Sequence, residues 1–194
     1  MDDVLLQVSG MAAGIKSGAI KDSRPPEVRK FPHEPPQMCF YYRLLYEWVR
    51  HSKPKNVVEL GTFWAASAYH LAHASPESRV ITIDIDKASK VKADALGLAN
   101  LNAVTSDSVV AAELVKKDYS PIDVLFIDSD HSYKIASGEW TAYRPLCRDG
   151  AVVFMDDIHM NPEMKRFWSE VKDPKMELNH LHVLGFGVAV KRGE

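Results

Sequence analysis

Cysteine is nearly absent from this sequence: Cys39 and Cys147 are its only two, far apart and without metal-ligand spacing. That argues against a disulfide-framed secreted scaffold and points to reduced, buried thiols in a cytoplasmic protein. Long hydrophobic runs are missing as well. No stretch approaches the roughly 20 apolar residues needed to cross a bilayer, and the acidic start Met1-Asp2-Asp3 lacks the basic segment of a secretory signal. Neither charge sign dominates, since 24 Lys and Arg face 26 Asp and Glu for a formal net charge of -2. A chain without basic excess has no electrostatic footprint for a phosphate backbone, so a small-molecule partner is expected and nucleic acid is not. What is present is ordinary for a globular protein, with 46% hydrophobic and 26% charged residues in a chain of 194. That length suffices for one sizeable core.

Glycine and proline are concentrated near the start. Gly10, Gly14 and Gly18 are followed by Pro25-Pro26, Pro32 and Pro35-Pro36. This composition predicts a mobile or extended segment over residues 9–36, serving either as a plain leader or as a lid over a ligand. The division that follows is an N-terminal lid or flexible segment at 1–37 and a cofactor-binding domain at 38–194. Beyond residue 38 the pattern becomes regular. Apolar residues recur at helical spacing over 40–50, strand-like runs fall at 57–60, 80–83 and 103–104, and helices are expected at 65–74, 89–98 and 109–117. Further strands end at Ile127 and Met155, a helix covers 164–171, and two strand-like runs close the chain at 176–183 and 186–191. Strands alternating with helices predict an α/β fold: a Rossmann-like, doubly wound, mostly parallel sheet of about seven strands. Helices should cover both faces, and the closely coupled final pair predicts an antiparallel strand at the C-terminal edge.

Two strand ends carry carboxylates. Leu125-Phe126-Ile127 stops at Asp128-Ser129-Asp130-His131, and Val152-Val153-Phe154-Met155 stops at Asp156-Asp157. In a parallel sheet the C-terminal ends of neighbouring strands share one crevice. Asp128, Asp156 and Asp157 should therefore converge there, and clustered carboxylates repel one another unless a cation sits between them. An all-oxygen set suits Mg²⁺ or Ca²⁺ rather than zinc.

The opposite side of the crevice has its own sequence of signals. Gly61 follows the first strand in Glu59-Leu60-Gly61-Thr62-Phe63-Trp64-Ala65-Ala66-Ser67, and a glycine there lets backbone approach a ligand closely. Asp84 ends the second strand, where an acidic residue commonly accepts hydrogen bonds from ribose hydroxyls. Ser106-Asp107-Ser108 follows the third strand, placed to meet a base edge. Together these predict a nucleoside-containing cofactor. A nicotinamide dinucleotide is disfavoured, because Gly-x-Gly-x-x-Gly is absent from the loop.

The loop 59–67, the run Ile83-Asp84-Ile85-Asp86, the run 126–133 and the run 146–157 together resemble the class I S-adenosylmethionine-dependent methyltransferases. More narrowly, they are similar to the metal-dependent O-methyltransferase branch, over roughly residue 36 to the C-terminus. The resemblance implies Mg²⁺ at Asp128, Asp156 and Asp157. It implies that Glu59, Gly61 and Ser67 line the methionine end of the cofactor, that Asp84 holds the ribose, and that Asp107 and Ser108 meet the adenine. Thr62, Phe63, Ile85 and Asp128 complete the expected cofactor contacts. His131 stands where related catechol-type enzymes carry a lysine general base. It is the expected catalytic base, with Lys134 in reserve and Asp130 as an orienting partner. The implied reaction transfers a methyl group to a hydroxyl of a small molecule, of vicinal diol, catechol or sugar type. An alternative is also implied, because the Asp-His-Ser-Tyr strand end occurs in proteins related to antibiotic-tailoring hydroxylation, which bind the cofactor without their own methyl transfer. The chain departs from the pattern at Ala65, where a second glycine is usual. The Asn-Pro-Pro-Tyr signature of base methyltransferases is missing.

The remaining candidates divide more simply. Trp64 reads either as a core residue or as a ligand contact, and His159 as a substrate-facing or a surface-loop residue. The pairs His70/His73 and His180/His182 read as solvated or packed surfaces, and Phe167-Trp168 as core. The aromatic-rich helix containing Tyr41, Tyr42 and Trp48 offers a face for a homodimer.

Overall fold

A computed structural model describes residues 2–30 and 39–193 of the chain. The proline-rich residues 31–38 and the Cys39 side chain, about which the sequence raised a lid and a buried thiol, lie outside the described residues. The elements in chain order are α1 (Asp3–Ser17), α2 (Pro26–Arg29), α3 (Cys39–Ser52), β1 (Asn56–Leu60), α4 (Ala66–Ala74), β2 (Arg79–Asp84), α5 (Lys87–Asp94) and β3 (Leu101–Thr105). They continue with α6 (Ser108–Asp118), β4 (Ile122–Ile127), α7 (Tyr133–Tyr143), β5 (Cys147–Asp156), α8 (Pro162–Glu170), β6 (Lys175–Glu177) and β7 (Phe186–Val190).

The strands form one seven-stranded sheet in the order β3-β2-β1-β4-β5-β7-β6. The first five are parallel, while β7 runs antiparallel to both β5 and β6. Strand order reverses direction between β1 and β4, which is where ligands bind in doubly wound sheets. In the registers there, Leu60 lies opposite Ile127 and Ile127 opposite Met155, so β1, β4 and β5 end level with one another.

Period-two alternation divides the core into two layers. Val57, Val124, Phe126, Val152 and Phe154 face α1, α3 and α4, packing with Val8, Leu44, Leu45 and Leu71. Val58, Leu125, Ile127, Val153 and Met155 face the other side and pack with Val115, Tyr143, Met164 and Phe167. The central strands β1, β4 and β7 and the second half of β5 are buried on both faces, which is why they read as continuous apolar runs. Phe167 and Trp168 are core residues as expected, at 3% and 4% exposure. Cys147 is a buried free thiol. Among the described residues, no helix is long and apolar enough to cross a membrane.

Two expectations change. Residues 9–17 were expected to be mobile or extended, but they lie in α1, whose Leu5, Val8, Ala12 and Ile15 form a buried stripe at three- and four-residue spacing. Asp2 caps it by accepting from the Val4 N–H at 2.9 Å, and Gly18 (φ 77°) ends it. The apolar stripe outweighs the helix-weakening glycines. The expected strand over 176–183 is the second change. β6 stops at Glu177, after which Leu178 and Leu181, each 2% exposed, turn into the core. This turn carries His182 toward the end of β5. The aromatic face of α3 is also spent within the chain, with Tyr41 at 2% and Trp48 at 5% exposure.

Candidate active site

The turn after β1 and the turn after β4 touch. Gly61 has φ 94°, and a Cβ built on it would lie 1.7 Å from the Asp128 carbonyl oxygen, so no side chain is admissible. The Asp128 N–H donates to the Leu60 carbonyl at 2.8 Å and holds this approach in place. Phe63 and Ala65 in the same turn also have positive φ, 45° and 60°. For Ala65 that left-handed conformation costs on the order of 1 kcal/mol, which glycine would avoid. Its methyl group is nevertheless completely buried without displacing the turn.

Asp84 organises this loop from the end of β2. Its Oδ2 accepts from the N–H groups of Thr62 (3.0 Å) and Phe63 (2.9 Å), and its Oδ1 from Asp86 N–H (2.8 Å). Burial works against the charged form, but these backbone donors leave the pKa of Asp84 below the usual carboxylate value. A cavity of about 430 Å³ opens beside it, lined by Gly61, Phe63, Asp84, Ile85, Ser106, Asp107, Ser108, Asp128 and His131 among others. Ile85 is 74% exposed and stands at its mouth. Asp107 both lines the cavity and caps α6 through Val110 N–H at 3.0 Å. Two expected cofactor contacts sit deeper. Thr62 is buried and its hydroxyl meets that of Thr82 at 2.6 Å, while Thr82 donates to Glu59 Oε2 at 2.5 Å. Glu59 is therefore beneath the loop, supporting it. Burial raises its pKa to about 7, opposed by the hydroxyls of Ser67 and Thr82.

A second cavity of about 260 Å³ adjoins the first and shares Gly61, Phe63 and Asp128 with it. Its other walls are Tyr41, Tyr42, Thr62, Trp64, Ala66, Ser67, Asp156 and Asp157. Trp64 is 41% exposed, with the Lys92 ammonium 3.8 Å from its ring centroid, so the indole is part of the cavity wall rather than a core residue. Asp128, Asp156 and Asp157 converge here as expected, and Asp157 is held at φ 55°.

Two imidazoles join the carboxylates. His131 Nε2 lies 3.7 Å from Asp128 Oδ1 and 3.6 Å from Asp157 Oδ2. His182 Nε2 lies 2.7 Å from Asp157 Oδ1 and 3.6 Å from Asp156 Oδ1. His131 Nε2 and Asp156 Oδ1 are buried without a hydrogen-bond partner. Lost hydration, then the charges of Glu59 and Asp157, push Asp128 up to about 8. Burial and the neighbouring Asp128 raise Asp156 well above the carboxylate range, against a lowering pull from His182. Burial alone would lower His182, yet its bond to Asp157 and the charge of Asp156 leave its pKa raised. These carboxylates need either protons or a cation, so the donor set fits a divalent ion, which would take the place of the protons.

The other candidates fall outside this centre. Lys134 is exposed on α7 and lines neither cavity. Asp130 accepts from Ser132 N–H at 2.9 Å, a local turn contact, and the His131 loop is tied down by Asn161 Nδ2 donating to the His131 carbonyl at 2.7 Å. His159 pairs with Glu177 at 2.8 Å in a surface loop. His70 is completely buried, with Nε2 3.0 Å from Arg24 Nη1. The expected His180/His182 pair is split: His180 is exposed and His182 is buried in the site. His182, Tyr41 and Tyr42 are the site residues that sequence reasoning missed.

The sequence profile of a family described as a methyltransferase domain matches residues 58–158, more than half of the chain. The chain belongs to this methyltransferase domain family. No curated protein matches it by sequence. Among solved structures, it is similar to the O-methyltransferase from Bacillus cereus in complex with S-adenosylhomocysteine (18% identity, TM-score 0.64, 98% of this chain and 92% of that one). It is also similar to the O-methyltransferase TomG from Streptomyces achromogenes, involved in tomaymycin synthesis and in complex with S-adenosylmethionine (19% identity, TM-score 0.61, 100% and 91%). A methyltransferase from Geobacter sulfurreducens gives 18% identity and TM-score 0.61 over 100% and 91% of the two chains. At these identities the likeness establishes the fold.

Proposed function

We propose that this methyltransferase uses S-adenosylmethionine and a divalent cation to methylate a hydroxyl of a small molecule with neighbouring oxygens, of diol, catechol or sugar type. The observation that carries this reading is the contact between Gly61 and Asp128, which joins a nucleoside-sized cavity to a second cavity walled by carboxylates. Fold relatives that bind S-adenosylmethionine or its product, named above, support the choice of cofactor.

Asp84 lines the first cavity and would meet the ribose hydroxyls. Asp107, Ser108 and Ile85 would bound the base, and the Gly61–Ala65 turn the methionine end. S-adenosylmethionine supplies an electrophilic methyl group. Asp156 and Asp157, with Asp128 beside them, would hold the divalent cation, which would supply positive charge that acidifies a neighbouring hydroxyl. His131, aimed at the same carboxylates, accepts the acceptor's proton. Tyr41, Tyr42 and Trp64 surround the acceptor, fixing its plane and excluding water. Alignment of this kind contributes on the order of 7–11 kcal/mol to methyl transfer. Partners beyond the small molecule are not needed for this chemistry, and it is consistent with a cytoplasmic location.

Calorimetry with S-adenosylmethionine, followed by turnover on a panel of catechols and diols with and without chelator, tests the reading. Cofactor binding should survive chelation while methyl transfer is lost. Turnover that ignores the chelator would remove the cation from the account. Binding without S-adenosylhomocysteine formation on any acceptor would favour a tailoring component instead.

A further inference from the structure

We propose that His182 is a protein ligand of the cation, making the centre a mixed nitrogen–oxygen site that prefers a first-row transition ion such as Mn²⁺ over Mg²⁺. The inference rests on the cation reading above and concerns which ion the chain is built to hold.

Four observations carry it. One donor atom each from Asp156, Asp157 and His182 lie within 4.8 Å of one another, a compact group that one ion can bridge. The two most enclosed members are almost wholly buried, with side chains 1% (His182) and 6% (Asp156) exposed. Asp156 Oδ1 has no hydrogen-bond partner, because His182 Nε2 stands 3.6 Å away and bonds Asp157 instead. The imidazole is also fixed in this direction. Its ring meets Tyr41 edge-on at 5.2 Å between centroids, and its Nδ1 has no partner, so Nε2 is the nitrogen engaged. The backbone around it is pinned by Gly185 N–H donating to the His182 carbonyl at 3.1 Å and His159 N–H to Leu184 at 2.8 Å.

The donor chemistry then selects the ion. Carboxylate and water sets suit magnesium, which demands oxygen, whereas an added imidazole nitrogen favours the first-row transition ions, with affinity rising from manganese along the series. The arrangement also divides labour within the site. Asp128 is outside the compact group and faces His131 at 3.7 Å, on the side shared with the larger cavity.

The alternative is that His182 only orients Asp157 by a hydrogen bond, with no bond to the ion. Pulsed electron paramagnetic resonance on the Mn²⁺-loaded full chain separates the two, because only a directly bound imidazole gives strong ¹⁴N modulation. The expected result is a ¹⁴N signal that converts to ¹⁵N when the protein is made with ¹⁵N-histidine, is lost in His182→Gln and remains in His131→Gln. Competition calorimetry should show Mn²⁺ bound at least tenfold more tightly than Mg²⁺, with His182→Gln weakening Mn²⁺ binding about 10- to 100-fold. Mn²⁺ that binds, and is lost in Asp156→Asn, yet gives no histidine nitrogen signal would overturn the inference and leave the cation reading standing. A wild type that binds neither ion, or binding indifferent to Asp156→Asn, would overturn both. If His182→Gln does not fold, the labelling result on wild-type and His131→Gln protein still decides.

Discussion

Asp84 and Asp156 end strands of the same sheet and face the same crevice, yet they are in opposite electrostatic states. Asp84 receives three backbone N–H donors and has a lowered pKa. Asp156 has an oxygen without any partner and a strongly raised pKa, with Asp128 as the chief charge against it. The first carboxylate is held by the backbone and frames a loop. The second keeps an oxygen without a donor and needs a proton or a positive charge beside it. One half of the crevice is thus prebuilt by the backbone, and the other is not.

Substitutions can break this contrast in graded steps. Asp156→Asn should lower methyl transfer on the order of 10³-fold, the scale of losing a central electrostatic group, with cofactor affinity by calorimetry nearly unchanged. His131→Gln should reduce kcat about 10²-fold, measured by turnover at saturating cofactor, since a neutral amide cannot take the proton. Asp84→Asn should show the reverse pattern. It weakens S-adenosylmethionine about 10- to 100-fold, as expected for charged hydrogen bonds, while cation binding persists.

Glu59 predicts a stability effect. Its folded pKa of about 7 exceeds the ordinary glutamate value of 4.5, so its contribution is fully present below pH 4.5 and is lost as pH rises through 7. The loss amounts to roughly 3 kcal/mol. Thermal denaturation at pH 5 and pH 8 should therefore show a smaller pH dependence in Glu59→Gln than in wild type. The smallest effect belongs to Ala65→Gly, where relief of the left-handed strain and added unfolded-state freedom nearly cancel, leaving stability within about 1 kcal/mol of wild type.

The prebuilt half was largely legible in the sequence, because its signals are local. Gly61 follows β1 directly, Asp84 ends β2, and Asp107 lies two residues beyond β3. The same holds for Asp128, Asp156 and Asp157, whose convergence follows from parallel order alone. What escaped is brought in from a distance. His182 lies 25 residues beyond Asp157 and reaches it only because β6 is short and the chain turns back before β7. Tyr41 and Tyr42 reach the site because α3 packs over the sheet, a tertiary arrangement that helical spacing does not reveal. In α1, the glycines drew attention from a four-residue apolar stripe that decides the structure. The burial of Glu59 beneath the loop, rather than beside the ligand, depends on the inward face of β1 and a bond to Thr82 across the sheet.

The central claim is that one crevice holds a methyl donor beside a cation clamped by strand-end carboxylates. A crystal grown with S-adenosylhomocysteine and Mn²⁺, measured for anomalous scattering, tests it most directly. The account predicts nucleoside density between Asp84 and Asp107 and a single anomalous peak bonded to Asp156 and Asp157. Nucleoside density with no peak at those carboxylates, or a peak elsewhere on the chain, would contradict it.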